Sequence, residues 1–355
     1  MNKMRNNKKS LKNEYDIVII GAGPAGCSIA NFLSNKYHIL MVDFLNFPRN
    51  KSCGGVLVEE SQDFIKNWKI PNNVFSCPKY LNMKMIDWNN DLEVDVKRKL
   101  WNITRKDFDY WLLQRINKNI DFFSSTKLLK FKNYQKDIRV FLEIEGKVKI
   151  IKAKYLIGAN GAFSNVRKSL IKKPVRYYTA IQYWIKQNSK NNIGENTYFI
   201  YDNEITDFYS WLIPKKDKLI LGSALEKGVD IESKMNLFVR KLKEKHEISG
   251  KCIKKESAIL SRIRNKKDIC LGDNKVFLVG EAAGFISSST GEGISFALRS
   301  GYNCAKAINK DFNRPIPLYK KYSKDLIKEA SDKIKKADKF SSIKERKKVF
   351  KEFKN

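Results

Sequence analysis

The sequence predicts an α/β fold in which a parallel sheet with flanking helices is interrupted by further runs of strands. The stretch YDIVII, at residues 15–20, is a continuous apolar run suited to a strand buried on both faces. A glycine-rich turn, a helix and the second apolar run YHILMVD, at 37–43, complete a βαβ unit. Near the other end of the chain, VFLVGEAAGFISSSTGEGISFALRSG, at 276–301, again runs from strand through glycine turn to helix.

The residues between these two units alternate in a strand-like way over 80–103 and again over 176–225. In contrast, TRKDFDYWLLQRI, at 104–116, has helical spacing, and residues 231–246 read as an amphipathic helix. Short strands with a turn at Gly146 are predicted near 127–133, 138–145 and 147–152. The pattern therefore predicts a second, strand-rich unit inserted into the first.

The chain is strongly basic, with 70 Lys and Arg against 38 Asp and Glu and a formal charge of +32. Only 14 of the basic residues are Arg, and the lysines are spread along the chain, which favours a solvated surface over a specific nucleic-acid site. Such a field still attracts phosphates and anionic lipid headgroups. The tail from 320 to 355 predicts amphipathic helices with 14 basic and six acidic residues, which would add weak contact with an anionic membrane.

Six cysteines without a CxxC pair and only two histidines argue against a disulfide framework and against a metal site. They indicate a reducing, cytoplasmic compartment. The basic start of the chain, residues 1–16, lacks the apolar core of a signal peptide, and no apolar run reaches the length of a spanning helix. We therefore expect a cytoplasmic protein, with peripheral contact at the inner face of the membrane as a further expectation.

Gly21, Gly23 and Gly26 form GxGxxG directly after the first strand. Glycine permits the tight turn, lets a diphosphate approach the backbone and lets the helix pack on the strand. Asp43 ends the next strand and suits hydrogen bonding to a ribose. Together these residues predict a dinucleotide site, which leaves NAD and FAD open.

Three stretches resemble the motifs of the para-hydroxybenzoate hydroxylase-like superfamily, which contains the flavin-dependent hydroxylases and the geranylgeranyl reductases. They are TRKDFDYWLLQRI, LIGANGAFSNVR at 156–167, and VFLVGEAAGFISSSTGEGISFALRSG. The resemblance covers residues 14–310. It implies FAD and an FAD/NAD(P)-binding Rossmann fold like that of glutathione reductase, with an interleaved, mostly antiparallel β-sheet substrate domain. Both glycine turns then serve one elongated cofactor.

On that resemblance, the first glycine turn and Asp43 hold the ADP half of FAD, and Arg105 reaches the diphosphate. Glu281 lies near the ribitol, and the helix after Gly293 points its dipole at the isoalloxazine. The family commonly has Asp where this chain has Asn160 and Glu281, so Asn160 keeps only its hydrogen-bonding capacity. The predicted cofactor residues are Gly21, Gly23, Pro24, Ala25, Gly26, Asp43, Cys53, Gly54, Gly55, Arg105, Asn160, Gly161, Gly280, Glu281, Gly291, Gly293 and Ile294.

The same resemblance predicts how the chain is divided. The predicted FAD-binding segments are 14–78, 104–174 and 263–312. The predicted substrate-domain segments are 79–103 and 175–262, and 313–355 is a basic helical C-terminal tail.

Two stretches resemble the geranylgeranyl reductase family in particular: PRNKSCGGVL at 48–57 and DFYSWLIPKKDKLILGSAL at 207–225. GEAAG and AIQYW, at 180–184, are most similar to its CbrA-like bacterial branch. Cys53, beside two glycines, is the candidate catalytic residue, as a proton donor or redox partner of the flavin. A small packing residue without chemistry is an equal alternative.

Tyr209, Trp211 and Ile213 alternate on one predicted strand, so their side chains share one face of it. This face would suit an apolar substrate. The same alternation is equally typical of an ordinary core face. Gln182 and Trp184 alternate likewise and are expected to form a second wall. Lys215 and Lys216 are expected at the pocket mouth, where they would meet a diphosphate or phospholipid headgroup.

These features support three functional hypotheses. The first is an FAD enzyme that reduces carbon–carbon double bonds of an isoprenoid or related apolar substrate by hydride transfer from flavin N5, with NADPH or a ferredoxin or flavodoxin as electron donor. The second is oxygen chemistry, by a hydroxylase or halogenase acting on an aromatic or apolar small molecule. The third is a non-catalytic basic flavoprotein that binds a polyanion.

Overall fold

The computed structural model describes residues 10–171, 175–188 and 191–354. The basic start of the chain, residues 1–9, and the predicted segment boundary at 174 lie outside these ranges. The strands are β1 (Glu14–Ile20), β2 (Ile39–Val42), β3 (Val56–Leu57), β4 (Phe75–Asp87), β5 (Leu92–Ile103), β6 (Asp121–Phe123), β7 (Thr126–Asn133), β8 (Ile138–Ile144), β9 (Lys147–Gly158), β10 (Tyr177–Lys186), β11 (Asn196–Tyr201), β12 (Ser210–Lys215), β13 (Lys218–Glu226), β14 (Cys252–Ser261), β15 (Gly272–Asp273) and β16 (Val276–Leu278). The helices are α1 (Pro24–Phe32), α2 (Glu59–Ile65), α3 (Arg105–Gln114), α4 (Asn165–Leu170), α5 (Ile231–His246), α6 (Ile294–Lys310), α7 (Pro315–Tyr322), α8 (Lys324–Ser341) and α9 (Ile343–Lys354).

The first sheet is built around β1 and has the order β15-β16-β9-β1-β2-β6. Its central strands pair in parallel, β16 with β9, β9 with β1, β1 with β2 and β2 with β6. Ile17, Val18 and Ile19 are fully buried, as expected for a strand covered on both faces. β7 and β8 extend this sheet from β9 as an antiparallel meander.

The second sheet has the order β14-β10-β13-β12-β11-β4-β5-β3, and among these described strands only β11 and β4 pair in parallel. Helix α5 covers one face with Met235, Phe238 and Leu242. The fold is therefore the predicted one, with a Rossmann-type unit and an interleaved, mostly antiparallel sheet. One detail differs: β3 and the first residues of β4 belong to the second sheet, although the sequence placed them in the first FAD-binding segment.

The C-terminal helices pack on the fold instead of extending away from it: α7 and the start of α8 on the core of the first unit, the end of α8 and α9 on the second sheet. Arg346 on α9 is 1% exposed and donates two hydrogen bonds to Asp87, at 2.9 and 3.0 Å. Phe340 and Phe350 pack against Tyr201 on the face opposite α5. In the described part of the chain, no helix is both long and apolar enough to cross a bilayer.

Candidate functional site

The first glycine turn is closed against the end of β9. Gly21 has a φ of +105°, and an added Cβ there would lie 2.6 Å from the Ala159 carbonyl oxygen. A Cβ on Gly26 would lie 1.9 Å from the Gly21 carbonyl oxygen, so neither position tolerates a side chain. Gly23 is different, because a Cβ there would meet only the far end of Arg49, at 3.2 Å. The open side of the turn therefore faces the Arg49 guanidinium.

Asp43 lies beside this turn, as predicted for a residue at the end of β2. One carboxylate oxygen accepts a hydrogen bond from the Ala22 backbone at 2.8 Å, and the other accepts one from the Leu45 backbone at 2.9 Å. The Asp43 carboxylate is thus fixed between the glycine turn and the loop that follows β2.

Two arginines bond one buried carboxylate next to the turn, and a lysine lies close to them. Asp109 on α3 is fully buried and accepts two hydrogen bonds from Arg105 and one from Arg49, all at 2.8 Å. Burial, and then the charge of Arg105, lower the pKa of Lys51 in the same cluster. The Nε of Arg49 is buried and has no partner among the described residues. The excess of positive charge and this unused donor suit a diphosphate.

Cys53 connects this cluster to the second sheet. Burial opposes ionisation of Arg105, but the Asp109 carboxylate and the Cys53 sulfur, which is within hydrogen-bonding reach, raise its pKa above the usual value. The sulfur also accepts a hydrogen bond from the Gly55 backbone at 3.4 Å. Cys53 is also an electrostatic neighbour of Lys215 and Tyr209, so it lies where the two sheets meet.

The second glycine-rich stretch returns to the first turn. Gly280 packs on α1 so closely that an added Cβ would lie 2.8 Å from the Ala25 Cβ. Arg167 fixes the next turn by donating to the carbonyl oxygens of Ala282 and Asp268, at 3.0 and 2.5 Å. The second glycine turn therefore packs directly against the helix that follows the first turn, and that both serve one cofactor stays a prediction.

Glu281 points into this site from the second turn. Its Oε1 accepts a hydrogen bond from the Ser261 backbone at 2.7 Å. Burial raises the pKa of Glu281, whereas that hydrogen bond and the charges of Lys51 and Arg105 oppose the shift. The carboxylate is thus within the electrostatic reach of the cation cluster.

A carboxylate that the sequence analysis missed caps helix α6. Glu292 accepts hydrogen bonds from the backbone and the hydroxyl of Ser295, at 2.6 and 3.0 Å, and burial raises its pKa. Gly291, with a φ of +63°, and Gly293 flank it, and Ile294 begins the helix. The N-terminus of α6 therefore reaches the site with a fixed acid beside it.

Asn160 and Gly161 lie where β9 ends beside the first turn. Asn160 donates from Nδ2 to Asn165 at 2.8 Å, and its Oδ1 is buried without a partner in the described structure. Gly161, at a φ of +74°, has open space where a Cβ would stand. The Asn160 oxygen is thus free to accept a hydrogen bond from a bound cofactor.

Strand β12 is attached at both ends to the cofactor loops. The Tyr209 hydroxyl, just before β12, donates to the Thr290 carbonyl oxygen at 2.5 Å. Towards the other end, a Cβ on Gly54 would lie 2.5 Å from Ile213 Cδ1. Between them, the Trp211 ring covers Gly222, and its buried Nε1 has no partner among the described residues. The predicted aromatic face is therefore continuous with the cofactor site.

Gln182 and Trp184 do not form a facing second wall. β13 lies between their strand and β12, and the register aligns Gln182 with Gly222 and Trp211 across the sheet. Directly opposed residues share one face of an antiparallel sheet, so all lie on the same wall. Both side chains donate to Glu256, at 3.0 and 2.8 Å. We use the name substrate face for Gln182, Trp184, Tyr209, Trp211 and Ile213.

Lys215 is buried, contrary to its expected place at a pocket mouth. Its Nζ donates to Asn102 Oδ1, to the Ile103 carbonyl oxygen at 2.8 Å and to the Gly55 carbonyl oxygen at 3.4 Å. Burial lowers the pKa of Lys215 to about 7. Its neighbour Lys216 is exposed in the β12–β13 turn. Lys215 therefore joins the Cys53–Gly55 loop to β5 and β12 instead of facing a headgroup in solvent.

Comparison with known proteins identifies the family. A family model described as FAD binding domain matches residues 14–325. The chain belongs to this family. Protein CbrA of Escherichia coli O9:H4 (strain HS) is 33% identical over 293 residues, which are 81% of this chain and 79% of that protein. The predicted CbrA-like membership and the FAD cofactor are thereby confirmed, and the protein is an FAD-dependent oxidoreductase.

Solved structures share the fold at low sequence identity. A geranylgeranyl bacteriochlorophyll reductase-like protein from Thermoplasma acidophilum superposes with a TM-score of 0.80 at 17% identity, over 94% of this chain and 89% of that one. CmlS, a flavin-dependent halogenase, gives a TM-score of 0.70 at 17% identity, over 91% and 63%. Both reductase-like and halogenating proteins therefore use this architecture, which leaves the reaction to be argued from the site.

The residues of this chain fit FAD. The unused Arg49 Nε and Asn160 Oδ1 offer a donor and an acceptor, and Gly23 leaves the diphosphate side of the turn open. Sequence reasoning missed Arg49, Lys51 and Asp109. The last was detectable, because Asp109 stands four residues after Arg105 on one helix face.

Proposed function

We propose that this protein uses FAD to reduce carbon–carbon double bonds of an apolar substrate of isoprenoid or lipid type. The observation that carries the proposal is the junction between the cofactor loop and the substrate face. Gly54, next to Cys53, packs directly on Ile213, and Tyr209 bonds to the second glycine turn. An apolar molecule on this face would therefore lie beside the flavin and the Cys53 thiol.

The composition of the substrate face supports an apolar substrate. Tyr209, Trp211 and Ile213 are each at most 8% exposed, and their cluster continues along β4 and β5 to Phe340 and Phe350 of the C-terminal helices. Burial of hydrocarbon against aromatic rings and aliphatic side chains favours binding, and such a surface offers few polar groups to a charged substrate. Trp211 Nε1 supplies one unused donor for a polar group.

The chain supplies the proton that alkene reduction needs. Reduced FAD, when bound, supplies a hydride to one alkene carbon. We propose that the Cys53 thiol donates a proton to the other carbon, so that the double bond becomes two C–H bonds. The resulting thiolate would lie between the guanidinium of Arg105 and the amine of Lys215, and it would regain a proton from solvent. Tyr209 is a poorer donor, because burial raises its pKa and its proton already bonds Thr290.

The proposed electron donor is NADPH or a ferredoxin or flavodoxin. The net charge of +32 supports an acidic protein donor, because opposite charges steer such partners together. Anaerobic flavin reduction by NADPH, NADH and a reduced flavodoxin, measured in parallel, separates these donors.

The decisive experiment mixes FAD-loaded protein, reduced with dithionite under nitrogen, with a geranylgeranyl lipid and analyses the product by mass spectrometry. The proposal expects a gain of two hydrogens per reduced bond without oxygen. A product that forms only in air and carries added oxygen, or added halogen when halide is present, would replace the proposal with the oxygen-dependent hypothesis. Flavin that stays reduced and substrate that stays unchanged under nitrogen would overturn it for this substrate class.

A further inference from the structure

The antiparallel meander of β7, β8 and β9 has one face whose side chains are mostly exposed in the described structure. Its inner face is core, with Ile138, Val140 and Leu142 fully buried. Because side chains alternate along a strand, the residues between them point outward. The register places these outward residues in rows across the three strands, such as Lys130 opposite Phe141 and Phe141 opposite Ile150. We call this surface the meander face.

Cations dominate the meander face. The register brings five of them onto it, with Glu143 as the one carboxylate in these rows. All five are exposed: Lys127, Lys130, Lys132, Arg139 and Lys152. This surface therefore carries a concentrated positive charge.

Aliphatic side chains lie among these cations. Val148 and Ile150 on β9 are 58% and 51% exposed, and Phe141 lies beside Ile150 in the same row. Among the described residues, 11 large hydrophobic side chains are exposed, and four of them, Leu129, Tyr134, Val148 and Ile150, belong to this meander. Clustered exposed apolar side chains mark a surface that contacts something.

The basic C-terminal helices are the competing candidate for a membrane contact. Their apolar stripe is already used inside the protein, since Leu326, Ala330 and Ala337 are at most 3% exposed. Ile343 and Phe353, 41% and 42% exposed, stand ten residues apart on α9 and form no common patch. The meander face is therefore the better candidate.

We propose that the meander face docks on an anionic phospholipid bilayer. Lysines suit the headgroup charge, and their methylene stems with Val148 and Ile150 suit the boundary between headgroups and acyl chains. A nucleic acid or an acidic protein would be served by the cations alone and would not need exposed aliphatic side chains. The inference is independent of the reaction proposed above.

The test measures co-sedimentation of the FAD-loaded full chain with vesicles of phosphatidylcholine alone or with one-third phosphatidylglycerol. We expect binding to the anionic vesicles only. Lys130→Glu with Lys132→Glu should weaken it at least about tenfold, given the usual contribution of a lysine near such a surface. The matched pair Lys243→Glu with Lys245→Glu, on exposed positions of α5, makes the same charge change and should cost less than about threefold.

Substitution of the exposed aliphatic residues distinguishes a bilayer from other polyanions. Val148→Ser with Ile150→Ser leaves the charge unchanged and should weaken vesicle binding about fivefold or more. Ile253→Ser, at a position on β14 that is 50% exposed and also next to lysines, is the control and should change little. Equal losses from both lysine pairs, or no effect of the serine pair, would overturn the proposal. If the lysine pair loses retention on duplex DNA while the serine pair keeps both DNA retention and vesicle binding, the face binds nucleic acid and the proposal is overturned. Unchanged FAD spectra and melting temperatures show that each variant is folded.

Discussion

We call the first glycine turn, together with the Asp109 cluster beside it, the cofactor cradle. The cofactor cradle and the substrate face meet in one site but are built in different ways. In the cradle, backbone geometry decides: Gly21 and Gly26 leave no room for a side chain, and Asp109 holds Arg49 and Arg105 in place. On the substrate face, the pairing of strands decides, as in the row of Trp211 opposite Gly222 and Gly222 opposite Gln182. Glycines that no other residue could replace make the cradle recognisable in the sequence, whereas the face depends on which strands pair, which the sequence pattern does not give.

The largest expected effect tests the cradle. Gly23→Val should abolish FAD uptake, raising the dissociation constant more than about 1,000-fold, or ~4 kcal/mol, because the side chain occupies the approach of the diphosphate. Fluorescence titration of the apoprotein with FAD measures it. The apoprotein should melt close to wild type, since the new Cβ meets only the end of Arg49. A purified variant that retains bound flavin would contradict this account of the turn.

The next effect tests the buried carboxylate. Asp109→Asn leaves two buried guanidinium groups without their counter-charge and should lower the free energy of unfolding of the apoprotein by ~3 kcal/mol. FAD should recover part of the loss, because its diphosphate supplies negative charge. Asp107→Asn, on the first turn of the same helix, is the control, with an expected loss below ~1 kcal/mol. Equal denaturation midpoints for the two variants would show that Asp109 is not the anchor of the cluster.

The third effect tests the junction of the two regions. Cys53→Ser should keep FAD binding but slow substrate reduction about 100-fold or change the product pattern, as expected for loss of a general acid. Single-turnover oxidation of the reduced flavin by substrate measures the rate. Cys77→Ser, at an exposed cysteine, should leave the rate unchanged. If both variants react at the wild-type rate, Cys53 is a packing residue.

The smallest effect tests the link between the cofactor loop and β12. Lys215 has a pKa of about 7 when folded, against 10.5 for an ordinary lysine, so between these values the unfolded chain binds more protons. Stability should therefore rise with pH in that window, by ~2 kcal/mol from about pH 7 to about pH 9, and Lys215→Met should lose this contribution. Urea denaturation at several pH values measures it. Lys216→Met, at the exposed neighbour, should keep the wild-type slope, and a wild-type slope in Lys215→Met would refute the buried titration.

The sequence predicted the fold because its apolar strands and its first glycine turn are each encoded in a short stretch of the chain. The turn that needs a positive φ at Gly21 is encoded within a few residues, and Asp43, whose carboxylate meets it, ends the next strand. The predictions for Gln182, Trp184 and Lys215 were wrong in placement for the opposite reason. Strand alternation gives the face of a residue but does not say which strands pair, and β13 lies between the two that were expected to face each other.

By itself, the sequence determined that this chain is an FAD-binding protein of a CbrA-like branch, and it predicted that two glycine turns serve the cofactor. Only the tertiary structure decided that Arg49 and Arg105 share the Asp109 carboxylate with Lys51 close by, and that the thiol of Cys53 lies where this cluster meets the aromatic strand. The physical reason is how far along the chain the residues that determine a feature are separated. A backbone turn is fixed by the residues that form it, whereas the charge and burial of a side chain depend on neighbours that only folding brings together.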